Sequence, residues 1–160
     1  MKKILLLALL LVVITCAVSC GSEVEYKSDV KTNDIASAIQ AKLSNAGVLV
    51  VVDELYLSSF NQTYTSLISE WTALYSSSNS LFDEFGVFKV DNASDTEGIV
   101  EMIKEYIQIK IDSDLGYVPA ELPKLKNAKT KVCGNYVIYA FLSDADTTSA
   151  FEAFEAALAK

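Results

Sequence analysis

Three acidic clusters are the first places to look for chemistry in this 160-residue chain. Asp83-Glu84 supplies two adjacent carboxylates, the residue type of acid–base pairs. Glycosidase carboxylates face each other across a substrate at roughly 5–10 Å, and neighbours in sequence give no sign of that. Asp112-Ser113-Asp114 has the spacing that opens a calcium loop, but the twelfth position, where a bidentate Glu belongs, is Pro123. A polar helix end is the better account. Asp144 and Asp146 precede an apolar helical stripe, so capping and dipole compensation explain them better than ligation. There is no His and every basic residue is Lys. This removes Ser-His-Asp triads, Cys-His dyads, imidazole metal ligands and the bidentate guanidinium fork. With no activated nucleophile or general base to name, the residues point to no catalytic site, no metal and no cofactor, and the expectation is a protein that is not an enzyme. A formal charge of −8 argues against nucleic acid as a partner.

The cysteines carry a different chemistry. Lys2 and Lys3 precede eleven apolar residues, Ile4 to Ile14, a run short of the roughly 20 that span a bilayer. Charged start, short apolar core and small residues after it read as a secretory leader. Ala17-Val18-Ser19-Cys20-Gly21 resembles a bacterial lipobox, which implies diacylglyceryl attachment at Cys20 and a new N-terminus there. The expected division is 1–19 signal peptide, 20–31 lipidated Cys20 and polar tether, and 32–160 a single domain. The chain would sit on the extracytoplasmic face of the cell membrane. Cys133 alone then remains, a small buried hydrophobe in a strand. Asn61-Gln62-Thr63 and Asn92-Ala93-Ser94 match the glycosylation triplet by chance.

Two features suggest contact surfaces. Lys124, Lys126, Lys129 and Lys131 fall within eight residues of an acidic chain. They read either as a polyanion contact or, with preference, as lysines guarding an edge strand. The last strand has two apolar faces, Tyr136/Ile138/Ala140/Leu142 and Val137/Tyr139/Phe141. Helices on both sides would cover them; otherwise Val137, Tyr139 and Phe141 form a partner surface.

The elements that must position these residues follow from periodicity. Ile35, Ala38, Ile39, Leu43 and Ala46 predict a first helix, capped by Thr32 or Asn33 and ended by Gly47. Val48 to Val52 is β-prone and undecided. Tyr64, Leu67, Ile68, Trp71, Leu74 and Tyr75 predict a second helix. Phe85 to Val90 predicts a strand, and Ser94 with Glu97 a capping box opening a third helix along Ile99, Ile103, Tyr106 and Ile107. Residues 112–123 form a connector. Lys129 to Cys133 and Asn135 to Leu142 predict a hairpin around Gly134-Asn135, and a last helix follows with Ala150, Phe151, Phe154 and Leu158 inward. The fold class is α+β, a small antiparallel sheet of about three strands packed with about four helices.

The ordered set from the strand–turn–helix at Phe85 to Ile107, through Tyr117-Val118-Pro119 and Leu125-Lys126-Asn127-Ala128, to Gly134-Asn135-Tyr136-Val137 resembles a family of small Gram-positive lipoproteins, domain of unknown function 4358. The likeness covers most of residues 30 to 160. Family members carry an Arg near the end of the central helix, for which Lys104 or Lys110 is the nearest equivalent here. The resemblance implies localisation and fold, and no catalytic residue. The expected function is a non-catalytic interaction module at the cell envelope with a protein partner. The alternatives are a small-ligand module with Trp71, Tyr75 and Tyr136 around a pocket, and, less favoured, a carboxylate hydrolase.

Overall fold

A computed structural model describes residues 24–114 and 118–160. Lipidation at Cys20 and the leader fall outside them. Five strands form one antiparallel sheet: β1 (Leu49–Val51), β2 (Ile68–Ser76), β3 (Glu84–Val90), β4 (Lys129–Cys133) and β5 (Tyr136–Phe141), in spatial order β1-β2-β3-β5-β4. The helices are α1 (Thr32–Gln40), α2 (Gln62–Thr65), α3 (Thr96–Asp114), α4 (Leu122–Lys126) and α5 (Asp144–Leu158), with 3₁₀ segments at Glu54–Ser59 and Ala93–Asp95. The class is α+β as the periodicity implies, but with five strands rather than three.

The two added strands come from segments whose pattern misleads. The expected second helix is a strand over most of its length; only Gln62–Thr65 is helical. β2 lies between β1 and β3 and packs on both faces. Strict apolar/polar alternation is therefore lost: Trp71 meets Phe88 on one side while Leu74 joins α1 and α5 on the other, and apolar residues at both parities imitate helical spacing. Val48 to Val52 resolves as the short edge strand β1.

Helices cover both faces of the sheet. α1 and α5 bury Ile35, Ile39, Phe154 and Leu158 against Phe85, Val87, Tyr136 and Ile138. α3, α4 and the 3₁₀ segment bury Ile99, Met102, Ile103, Leu125 and Phe60 against Phe88, Val137, Tyr139 and Phe141. Helices on both sides are the covering arrangement expected for β5, and Val137, Tyr139 and Phe141, the alternative partner surface, are fully buried. Alternation sends them to the α3 layer, which the sequence expectation left open.

Local chemistry sets the junctions. Gly134 takes φ +58° in the β4–β5 turn, a conformation that favours glycine. Ser143 caps α5 by accepting from the Asp146 N–H at 3.2 Å. The expected capping box of Ser94 and Glu97 does not form: Ser94 lies in the 3₁₀ segment, and Thr96 Oγ1 donates to the Ala93 carbonyl at 2.8 Å instead. The start of α1 is served from another element, as Thr32 N–H and Oγ1–H both donate to Glu70 of β2 at 2.9 and 3.1 Å.

Asp146 does more than the helix-terminal role assigned to it. It is buried, and it accepts backbone N–H bonds from Ser44 (2.8 Å) and Asn45 (2.9 Å) and the Ser143 hydroxyl (3.1 Å), tying the α1–β1 loop to α5. Burial works against its charge, but those backbone donors outweigh it and hold its carboxyl below the usual range. A depressed native pKa means the unfolded state binds the proton first. The contribution is complete above about pH 4 and disappears as pH falls through the native value. Asp146→Ala should cost about 1–3 kcal/mol at neutral pH, and thermal unfolding from pH 7 to 3 should show the variant losing less stability with acid than the parent.

Candidate functional site

Glu84, the first residue of β3, is 1% exposed. Its register neighbours are Tyr75 on β2 and Phe141 on β5. A carboxylate in such a place must be compensated or neutralised, and three elements supply four donors. Its Oε1 accepts hydroxyl bonds from Tyr56 of the 3₁₀ segment (2.5 Å), Tyr106 of α3 (2.9 Å) and Tyr139 of β5 (2.7 Å). Its Oε2 accepts from Lys110 Nζ at 3.1 Å. The Tyr56 and Tyr106 hydroxyls also touch each other. Lys110 lies 5.3 Å from the ring centres of both Tyr106 and Phe141, so its ammonium is held by one charge and two aromatic faces.

Sequence spacing explains how α3 contributes twice. Tyr106 and Lys110 are one helical turn apart and share a face. Tyr139 reaches Glu84 by lying across Gly86, its register partner; a Cβ on Gly86 would come within 2.3 Å of the Tyr139 ring. Burial, then the Glu84 charge, pushes all three phenols well above their ordinary pKa. They stay protonated and donate. None is poised as a nucleophile or base, and the Glu84 carboxylate has no exposed oxygen to offer a substrate.

Asp83 turns elsewhere. It is buried, accepting from Lys124 Nζ at 2.8 Å and from the Gly47 N–H at 3.4 Å. Lys124 also donates to Glu121 at 2.6 Å, and Glu121 accepts the Phe82 N–H at 3.1 Å. Burial disfavours the Lys124 charge, but its bonds to Asp83 and Glu121 prevail and raise its pKa. The adjacent carboxylates thus serve two separate ion networks and do not converge on a shared space.

The remaining sequence candidates are dispersed. Of the four lysines, Lys124 is drawn into the Asp83 network and Lys131 pairs with Glu155 of α5, while Lys126 and Lys129 are exposed. They make no single basic patch, and Lys129 and Lys131 lie on the outer strand β4. Asp112 sits in the last turns of α3 and accepts from Gln108 at 2.9 Å, so the calcium-like spacing is helical. Cys133 is buried, and burial raises its thiol pKa. Trp71, Tyr75 and Tyr136 do not share a pocket: Trp71 packs on Phe88, Tyr75 points outward, and Tyr136 lies on the other sheet face with its hydroxyl on the Val30 carbonyl at 2.7 Å.

One open surface adjoins the Glu84 cluster. The Tyr56 ring stacks on Tyr75 at 6.4 Å and 12° while its hydroxyl reaches inward to Glu84. Beside this pair a cleft of about 370 Å³ is lined by Val51, Val52, Asp53, Leu55, Tyr56 and Tyr75. Of its lining residues Val51, Leu55 and Tyr75 are 63, 77 and 43% exposed. Tyr56 is not singled out by sequence; Tyr106 figures there only on the inward stripe of α3 and Lys110 only as a counterpart of the family's Arg, and neither of these last two is joined to Glu84. The available signals were the helical pairing of the last two and the lone glycine in a central strand.

Two outcomes test this geometry. Glu84→Gln, which leaves Lys110 without its anion, should cost about 3–5 kcal/mol in denaturant unfolding, against about 1–2 kcal/mol for Tyr139→Phe. Because the native phenols titrate above the unfolded value of about 10, their contribution is complete below that pH and lost above it. Absorbance titration should show Tyr56, Tyr106 and Tyr139 remaining protonated until alkaline unfolding, and ionising together with it.

Residues 52–142 match the family model described as Domain of unknown function (DUF4358). The matched span contains Tyr56, Glu84, Tyr106, Lys110 and Tyr139, the whole carboxylate–phenol cluster, and omits α1 and α5. No curated protein and no solved structure matches the chain. With more than half its length matched, and with the cluster inside the matched part, the chain belongs to the domain of unknown function 4358 family.

Proposed function

We propose that this chain is a lipid-anchored extracytoplasmic lipoprotein, held to the membrane through diacylglyceryl Cys20, whose domain is a non-catalytic interaction module for another envelope protein. The observation that carries the reading is the contrast between the two halves of the site. The buried ionisable groups are matched to one another across elements, with Glu84 accepting four donors and Asp83 held by Lys124. The surface beside them exposes apolar Val51, Leu55 and Tyr75, with Asp53 at its rim. Such a patch suits association better than bond chemistry. It replaces the β5 face as the contact surface. The leader-like start and Ala17-Val18-Ser19-Cys20 support the anchor. No described helix is long and apolar enough to cross a membrane.

A second reading, a small-ligand module, draws support from the cleft beside Tyr56 and Tyr75. In-cell crosslinking followed by affinity purification separates the two. The expected result is one abundant envelope protein crosslinked to the parent chain and absent from Cys20→Ala, with labelled palmitate incorporated only in the parent. No enriched partner, with a stabilising hit in a thermal-shift screen of small molecules, would favour the ligand reading.

A further inference from the structure

The two edges of the sheet are built differently. β4 carries Lys129 and Lys131, the usual device against edge pairing. β1 lies in Val48-Leu49-Val50-Val51-Val52, five apolar residues with neither charge nor proline. Its ladder to β2 is carried by the even positions: Val52 N–H donates to the Ala73 carbonyl at 3.1 Å, and the Val48 carbonyl accepts from Ser77 N–H at 2.9 Å. Antiparallel alternation then turns the backbone groups of Leu49 and Val51 outward. The Leu49 carbonyl is met by Gln40 Nε2 at 3.4 Å. The Leu49 N–H and both polar groups of Val51 face away from the sheet.

Clefts lie against this edge. The 370 Å³ cleft and a second of about 420 Å³, reaching Asn33 and Trp71, share Val51, Val52 and Asp53. A strand laid along β1 would place side chains beside both. At the end of β1 Asp53 and Glu54 are exposed, with no salt-bridge partner among the described residues. Free backbone groups, adjoining clefts and an unmatched acidic end are the parts of a strand-addition site.

We propose that the β1 edge receives an extended segment of a partner protein, one with alternating apolar side chains and a Lys or Arg beside Asp53 and Glu54. This deepens the interaction-module reading and rests on it. The acidic flank favours a basic partner segment over a second copy of this acidic chain.

The test uses a phage-displayed twelve-residue random library panned on the full chain purified in detergent. The expected winners alternate apolar residues, carry a terminal basic residue, and bind more weakly as salt rises. Val51→Pro removes the outward N–H without touching the ladder to β2, and should lower their affinity at least tenfold. Val132→Pro, at an outward amide of the other edge, should leave it unchanged. Glu54→Lys, a surface change that keeps the fold, should lower affinity several-fold and flatten the salt dependence. No enrichment over bare support, or binders indifferent to both Val51→Pro and Glu54→Lys, would overturn the proposal. So would a concentration-dependent dimer in sedimentation that Val51→Pro abolishes, which would give the edge to a second copy. A crosslinked envelope partner that persists in Val51→Pro cells would overturn the edge site while leaving the interaction module intact. The absence of any crosslinked partner would remove the module itself.

Discussion

A carboxylate at the head of a central strand, sealed under helices, is the constraint around which this domain is arranged. Glu84 cannot keep its charge there without donors, and no single element can supply enough of them. The donors come from the 3₁₀ segment, α3 and β5, so the residue that creates the problem also specifies which pieces of chain must meet. Apolar packing alone would permit α3 to shift along the sheet. The directional bonds of Tyr106 and Lys110 to one carboxylate fix its position and leave few alternatives. Asp83, one residue earlier, performs a similar task for α4 through Lys124.

The same constraint bears on function through Tyr56. Its hydroxyl belongs to the buried cluster and its ring to the surface, stacked on Tyr75 at the wall of the cleft. The open surface is therefore built on a rigid support, which a docking site needs if it is not to pay in ordering entropy what it gains in contact. Across the sheet the opposite edge is guarded by lysines and the segment Tyr26–Lys27 closes on the end of α5. The unguarded edge stands out against that background.

Much of this architecture was legible in residue order. The hairpin at Gly134-Asn135, the strand at Phe85 to Val90 and the helices α3 and α5 follow from turn chemistry and single-faced periodicity, and they formed as expected. β2 was not legible, because a strand covered on both faces loses the alternation that distinguishes it from a helix. Val137, Tyr139 and Phe141 were ambiguous for the same reason, since one strand cannot reveal whether a helix arrives from elsewhere to cover it. The Glu84 cluster was hidden more deeply. Its members lie 22 to 55 residues from Glu84 in sequence, and a Glu beside an Asp reads as an ordinary exposed acidic pair until tertiary structure brings the phenols in.

Energetic coupling between Glu84 and Lys110 holds α3 to the sheet. A double-mutant cycle with Glu84→Gln, Lys110→Met and the pair, read by denaturant unfolding, tests it directly. The double variant should be clearly more stable than the sum of the single losses implies, with a coupling energy above about 1 kcal/mol. Additive losses, with a coupling near zero, would contradict it and reduce the cluster to incidental contacts among buried side chains.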